Sequence, residues 1–104
     1  VGSTSNFGHS VSFSKGASIL AIGAPWYDLT SSRKDSGRAY IYQFNGSTRR
    51  WIQKGTLETA VENDLYGWSV DMASDGSALA VGVPWHRGSS LYRSGMVHVA
   101  NVYL

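Results

Sequence analysis

Cysteine is absent from this sequence of 104 residues. The absence excludes disulfide bonds and thiolate metal sites, although it does not fix the compartment, because a repeat domain with a sufficient core needs no disulfides. An excess of one charge sign is also lacking: nine Lys and Arg against seven Asp and Glu leave a net charge of +2. So small an excess does not predict nucleic-acid binding. No apolar run reaches the roughly 18 residues of a membrane-spanning helix, so no membrane insertion is expected.

What the sequence does contain is glycine, at 12 residues, together with Val, Ile, Tyr, Phe and Trp spread along the chain. This mixture is typical of short strands joined by tight turns. Hydrophobic residues make up 42% of the chain, which is enough for a packed core. Global disorder is therefore not expected.

An internal repeat is the most informative feature of the sequence. Residues 7–11 (FGHSV) recur as residues 66–70 (YGWSV), and residues 20–26 (LAIGAPW) recur as residues 79–85 (LAVGVPW). Both pairs share an offset of 59, since 66 − 7 = 59 and 79 − 20 = 59. A third block, residues 36–41, aligns with residues 94–99 after a deletion of one residue. Three ordered blocks indicate two copies of one structural unit.

The residue pattern of each copy predicts a series of strands. Apolar and polar residues alternate at 10–13 and 69–72, which predicts strands with unequal faces, whereas the unbroken apolar runs at 19–24 and 78–83 predict strands covered on both faces. Third strands are expected near 37–44 and 95–102 and a polar, outer fourth strand near 49–58. The second copy has no counterpart of the fourth strand. The expected core residues are Val11, Phe13, Leu20, Ile22, Ile41, Val70, Met72, Leu79, Val81 and Val99.

The repeated motifs resemble those of the FG-GAP repeat, which builds the β-propeller of integrin α subunits and occurs in other, mostly extracellular, proteins. The resemblance rests on Phe7-Gly8 and Tyr66-Gly67, on Gly23-Ala24-Pro25 and Gly82-Val83-Pro84, and on a third strand that begins at Gly37-Arg38-Ala39-Tyr40. It implies an all-β fold, a β-propeller fragment of two four-stranded antiparallel blades whose second lacks its outer strand. The blades would comprise residues 1–65 and 66–104.

Calcium is not expected, although many integrin-type repeats carry an Asp-rich calcium loop between the first two strands. The corresponding turns at residues 14–18 and 73–77 hold no carboxylate in one case and only Asp75 in the other. Calcium takes six to eight oxygen ligands, usually several of them carboxylates. The chain thus resembles a metal-free, short-turn variant, and no cofactor is predicted.

A catalytic constellation is also missing from the sequence pattern. The three histidines, His9, His86 and His98, stand at no metal-binding spacing, and His9 and His98 occupy positions that hold aromatic residues in the other copy. Nucleophile, base and orienting group do not occur together in a recognisable motif. We therefore expect that the chain is not an enzyme.

The repeated tryptophans, Trp26 and Trp85, each follow the proline that ends a second strand. An exposed Trp at the start of a loop can stack on a sugar or anchor a protein partner, whereas the alternative is that it caps the end of the strand core. The candidate binding residues in these loops are Trp26, Tyr27, Arg33, Trp85, Arg87 and Arg93. Asn45-Gly46-Ser47 is both a sequon for N-glycosylation and a good turn sequence.

Three functions follow as expectations from the resemblance and from the candidate residues. The first is a non-catalytic extracellular or cell-surface module for protein–protein interaction, adhesion or structural assembly. The second is a carbohydrate-binding, lectin-like propeller that uses the Trp26 and Trp85 loops. The third is a non-catalytic module of a larger enzyme. Because two blades alone leave an apolar face bare at each end, the expected partners are other blades, in a longer chain or in a homo-oligomer, besides a protein or glycan ligand.

Overall fold

The fold consists of two antiparallel β-sheets, seen in a computed structural model that describes residues 5–86 and 94–104. The first sheet has the strand order β1-β2-β3-β4 and the second the order β5-β6-β7. The strands are β1 (Ser10–Phe13), β2 (Ile19–Ala24), β3 (Arg38–Asn45), β4 (Arg50–Leu57), β5 (Ser69–Met72), β6 (Ala78–Val83) and β7 (Met96–Asn101). The prediction of an all-β fold is confirmed, with one sheet of four strands and one of three.

Helices do not occur within the described ranges, and accordingly none of those residues forms a helix able to cross a membrane. The alternating and continuous apolar runs form the first and second strands of each sheet at the predicted positions. The strands of each sheet follow one another along the chain, and every pairing is antiparallel. Such an up-and-down order needs only short connections between neighbouring strands.

The two sheets contain equivalent backbone hydrogen bonds at equivalent positions of the repeat. The amide of Gly8 donates to the carbonyl of Gly23 at 3.1 Å, and the amide of Gly67 donates to the carbonyl of Gly82 at 3.3 Å. The same correspondence holds in the turns, where Ser14 donates to Ile19 and Ala73 donates to Ala78, both at 2.9 Å. The internal repeat of the sequence is therefore a repeat of backbone structure.

The sheets pack with their first strands side by side. The hydroxyl of Ser10 donates to the carbonyl of Gly67 at 3.0 Å, and the hydroxyl of Ser12 accepts from the amide of Met72 at 3.0 Å. Gly23 allows this approach, because a Cβ atom at that position would lie 2.0 Å from the carbonyl oxygen of Gly67. The main core forms between the sheets from Ala21, Ala39, Ile41, Tyr66, Met72, Leu79, Val81 and Val83.

The predicted core residues divide into two groups. Ile22, Ile41, Met72, Leu79 and Val81 are buried, and Leu20 and Val70 are partly buried. Val11, Phe13 and Val99, in contrast, are exposed by 59%, 53% and 65%, so their assignment to the core is wrong for this chain. The reason is that the sequence gives each sheet two apolar faces, whereas the two sheets pack through one face of each. On the outward face of the first sheet, only a small cluster of Ile22, Ala24 and Tyr40 is buried.

Candidate functional site

A pocket of about 330 Å³ lies where the loops of both sheets meet. Its described lining consists of Trp26, Asp35, Asn63, Leu65, Trp68 and Trp85. None of these residues belongs to a strand. They come instead from the β2–β3 loop, from the connection between β4 and β5, and from the loop after β6. The sheets thus serve as the rigid support for a site made of loops.

Two tryptophans of the pocket, Trp26 and Trp68, form an aromatic group with His9. The rings of Trp26 and Trp68 have their centres 5.3 Å apart, and the ring of His9 contacts Trp26 at 5.4 Å and Trp68 at 4.6 Å. Trp68 and Trp85 are exposed by 40% and 51%, respectively. The aromatic wall is therefore held by ring-to-ring contacts and still presents indole surface to solvent.

Two backbone segments set the polar side of the pocket. The amide of Asn63 donates to the carbonyl of Lys34 at 2.9 Å, and the amide of Leu65 donates to the carbonyl of Asp35 at 3.0 Å. Asp35, Asn63 and Leu65 all have left-handed backbone conformations, with φ of 55°, 63° and 58°. The amide of Asp35 also donates to the Oδ1 atom of Asp28 at 2.9 Å. These bonds hold the two backbone segments of the lining side by side.

Negative charge surrounds the carboxyl group of Asp35. Partial burial raises the pKa of Asp35 above its usual range, the carboxylates of Asp28 and Glu62 raise it further, and only the ammonium group of Lys34 opposes them. Carboxylates close to one another disfavour ionisation at each site. Asp35 thus contributes to the lining a carboxyl group that ionises less readily than an ordinary one.

A second polar cluster includes Asp64 and His86, which follow the pocket residues Asn63 and Trp85 in sequence. Its hydrogen bonds have a structural role. The Oδ2 atom of the fully buried Asp64 accepts from the hydroxyl of Thr59 at 2.7 Å and pairs with the Nδ1 atom of His86 at 2.8 Å. The Oδ1 atom of Asp64 is buried and has no hydrogen-bond partner among residues 5–86 and 94–104. These bonds fasten the connection between the sheets to the loop after β6.

The structure brings together only part of the predicted binding set. Trp26 and Trp85 line the pocket. Tyr27 does not: the guanidinium of Arg38 lies 4.0 Å above its ring centre, and Arg38 forms an ion pair with Glu58 at 3.1 Å. Arg33 is exposed in a turn, where its amide donates to the carbonyl of Thr30 at 3.1 Å. Arg87 and Arg93 lie outside the described residues.

Four pocket residues were not predicted from the sequence, namely Asp35, Asn63, Leu65 and Trp68. Trp68 occupies the position equivalent to His9 of the first copy. The repeat itself carried a signal: the second copy replaces a small ring by a large indole next to the Tyr-Gly motif. Asp35 and Asn63 gave no comparable signal, because their segments pair only in three dimensions.

The other histidine and the tight turns have local explanations. The hydroxyl of the fully buried Tyr66 shares a hydrogen bond of 2.6 Å with the Nδ1 atom of His98, and burial raises the pKa of Tyr66 far above its usual value. The carboxylate of Asp75 accepts from the amide and hydroxyl of Ser77 at 3.0 and 2.6 Å, and these bonds lower the pKa of Asp75. Within residues 5–86 and 94–104, no cluster of three or more His, Asp and Glu could hold a metal ion. The absence of calcium binding stays a prediction.

Asn45 lies where the β3–β4 hairpin turns. Its side-chain oxygen accepts from the amides of Ser47 and Thr48 at 2.9 and 3.2 Å. This is the turn role that the sequence predicted, and glycosylation at Asn45 stays a prediction.

When compared with known proteins, the chain matches no family model and no curated protein.

Proposed function

We propose that the chain is a non-catalytic extracellular or cell-surface module of the β-propeller type, whose two sheets act as blades for protein–protein interaction and structural assembly. A single observation carries the proposal. The outward face of each sheet carries residues equivalent, by the repeat, to those that the other sheet buries in the core between the sheets. Repeat architectures behave in this way, because each unit buries its apolar faces against its neighbours.

The bare face of the first sheet corresponds to the buried face of the second. Val11 and Phe13 are exposed by 59% and 53%, whereas their equivalents 59 residues later, Val70 and Met72, face the core, with Met72 exposed by 7%. Ring contacts extend this bare face toward the outer strand, since the rings of Phe13 and Trp51 have their centres 5.9 Å apart. Exposed apolar surface of this kind marks an interaction site.

The bare face of the second sheet shows the opposite correspondence. Val97 and Val99 are exposed by 68% and 65%, whereas their equivalents 58 residues earlier, Ala39 and Ile41, are exposed by 0% and 6%. The first sheet thus presents outward what the second sheet buries, and the second presents outward what the first buries. Two units carrying these faces are complementary head to tail, which is a heterologous contact.

An extracellular or cell-surface location belongs to the same proposal. The resemblance to FG-GAP repeats supports it, as does a sequon at Asn45 whose turn residues Gly46 and Ser47 are exposed. The non-catalytic role is proposed from the sequence, in which nucleophile, base and orienting group do not occur together in a recognisable motif.

The test is association in solution, measured by sedimentation velocity at micromolar concentration. We expect the chain to form oligomers or aggregates through its bare faces. Val99→Asp should shift it toward monomer, because burying an unpaired carboxylate opposes stacking. Val61→Asp is the matched control, since Val61 is exposed by 43% but lies in the connection between the sheets. A stable, cooperatively unfolding monomer of the unsubstituted chain would contradict the proposal.

A further inference from the structure

The pocket between the loops combines apolar aromatic walls with a small number of polar side chains. Trp26, Trp68, Trp85 and Leu65 supply the apolar surface, and the polar residues Asp35 and Asn63 also line the pocket. From this juxtaposition we infer that the pocket binds the pyranose ring of a carbohydrate. The inference goes beyond the stacking of sheets and is independent of it, because none of the described lining residues lies on the bare faces.

The aromatic part of the lining matches one face of a sugar ring. A pyranose presents C–H groups on its flat sides and hydroxyl groups around its edge. Trp68 is exposed by 40% and Trp85 by 51%, so both residues keep solvent-accessible surface for contact with such C–H groups. Contacts with Trp26 and His9 hold the Trp68 ring, with ring centres 5.3 and 4.6 Å away, which reduces the entropy lost on binding.

The polar part of the lining matches the edge of the ring. A carboxylate accepts hydrogen bonds from hydroxyl groups, and an amide side chain both donates and accepts. The backbone bonds from Asn63 to Lys34 and from Leu65 to Asp35, of 2.9 and 3.0 Å, place the two side chains on neighbouring segments. Asp35 and Asn63, on neighbouring segments of the lining, are the polar residues that we assign to the sugar hydroxyls.

The size of the pocket limits the ligand. A volume of about 330 Å³ is at the small end of the range for ligand pockets, roughly 300–1,000 Å³. It suits one sugar ring rather than an extended oligosaccharide or a folded peptide segment. A small organic cation is the competing occupant, because indoles and carboxylates also attract cations.

The experiment titrates the 104-residue chain with methyl glycosides of glucose, galactose and mannose and with N-acetylglucosamine, and follows intrinsic tryptophan fluorescence. We expect saturable binding of at least one of these sugars, with a dissociation constant on the order of 1 mM, corresponding to about −4 kcal/mol. Choline serves as the cation probe. Binding of choline without any sugar, or no saturable response to any of the four sugars, would overturn the inference.

Two variants locate the site. Trp68→His introduces the residue that the first copy has at the equivalent position, so the fold should tolerate it, and it should weaken sugar binding by about tenfold or more. Trp51→Ala is the matched control, because Trp51 is also exposed by 40% but lies on β4, away from the pocket. Equal affinity of Trp68→His and the unsubstituted chain, with both folded by circular dichroism, would contradict the assignment. Failure of the stacking test would leave this outcome unaffected.

Discussion

At the scale of single residues, the pocket is built on backbone conformations that most residues avoid. Asp35, Asn63 and Leu65 have φ between 55° and 63°. Asp and Asn adopt this region readily, whereas a leucine there costs on the order of 1–2 kcal/mol. Asn6, equivalent to Leu65 by the repeat, has φ of 59°. Both copies therefore need a left-handed residue at this position, and only the second copy places an apolar side chain there.

Substitution of Asp35 by Asn should stabilise the fold and lower the affinity of the pocket for sugar. Burial and the carboxylates of Asp28 and Glu62 raise the pKa of Asp35, and Lys34 opposes them in part. A carboxyl group with a raised pKa in the folded state destabilises the fold once it ionises, and this cost disappears as the pH falls below its pKa. Asparagine carries no charge and adopts the left-handed conformation readily.

The measurement is the melting temperature of Asp35→Asn and of the unsubstituted chain as a function of pH. We expect the variant to melt higher at pH 7 and the difference to vanish below about pH 4, where an ordinary Asp is protonated. Sugar affinity of the variant should fall at pH 7. An unchanged or lower melting temperature at pH 7 would show that Asp35 makes a favourable contact that outweighs the repulsion.

At the scale of strands, local patterns predicted the elements well. The alternating residues of β1 and β5 and the continuous apolar runs of β2 and β6 define their strands directly, because side-chain period and proline position are local properties. The exposure of Val11 and Val99 was not predictable in this way. Which face of a sheet is covered depends on the neighbouring sheet, and a strand pattern holds no information about that neighbour.

The site was predicted in part for the same reason. Trp26 and Trp85 follow from the repeat, since each comes directly after the proline that ends a strand. Asp35 and Asn63 become neighbours only because residues 34–37 pair with residues 63–66 across the connection between the sheets. The paired residues are separated by about half a repeat in sequence, so no local sequence pattern predicts the pairing.

Ser12→Ala should destabilise the packing of β1 against β5. The hydroxyl of Ser12 accepts from the amide of Met72 at 3.0 Å, and its removal leaves a buried amide without this partner, at a cost of about 1–3 kcal/mol. Asp71 occupies the equivalent position of the second sheet and is exposed, so Asp71→Ala is the matched control, with an expected change within about 0.5 kcal/mol. Urea denaturation followed by tryptophan fluorescence measures both. Equal losses in the two variants would contradict the role assigned to the Ser12 hydroxyl.

At the scale of the whole molecule, the proposed stacking has a defined register. Gly23 of the first sheet lies against Gly67 of the second, and the repeat makes Gly82 equivalent to Gly23 and Gly8 equivalent to Gly67. Gly8 and Gly67 also share their backbone conformation, with φ of 93° and 92°. A further unit that stacks in the same register places its Gly8 carbonyl against Gly82. The contact between copies would then reproduce the contact within the chain.

This register predicts different consequences for two equivalent glycines. A Cβ atom at Gly23 would lie 2.0 Å from the carbonyl oxygen of Gly67, which is backbone and cannot move aside, so Gly23→Ala should destabilise the chain by about 1–3 kcal/mol or more. A Cβ atom at Gly82 would meet the hydroxyl of Ser69 at 2.3 Å, and that side chain can rotate away. Gly82→Ala should therefore fold with nearly unchanged stability.

In the associated state, however, the added methyl group of Gly82→Ala meets the Gly8 carbonyl of the next unit. We expect sedimentation velocity to show mostly monomer for Gly82→Ala under conditions in which the unsubstituted chain associates, while the urea midpoints of the two stay close. Gly55→Ala is the control for both measurements, because a Cβ atom at Gly55 meets no other atom within 4 Å. Undiminished association of Gly82→Ala would rule out this register, since no stacked arrangement that repeats the Gly23–Gly67 contact has room for the methyl group.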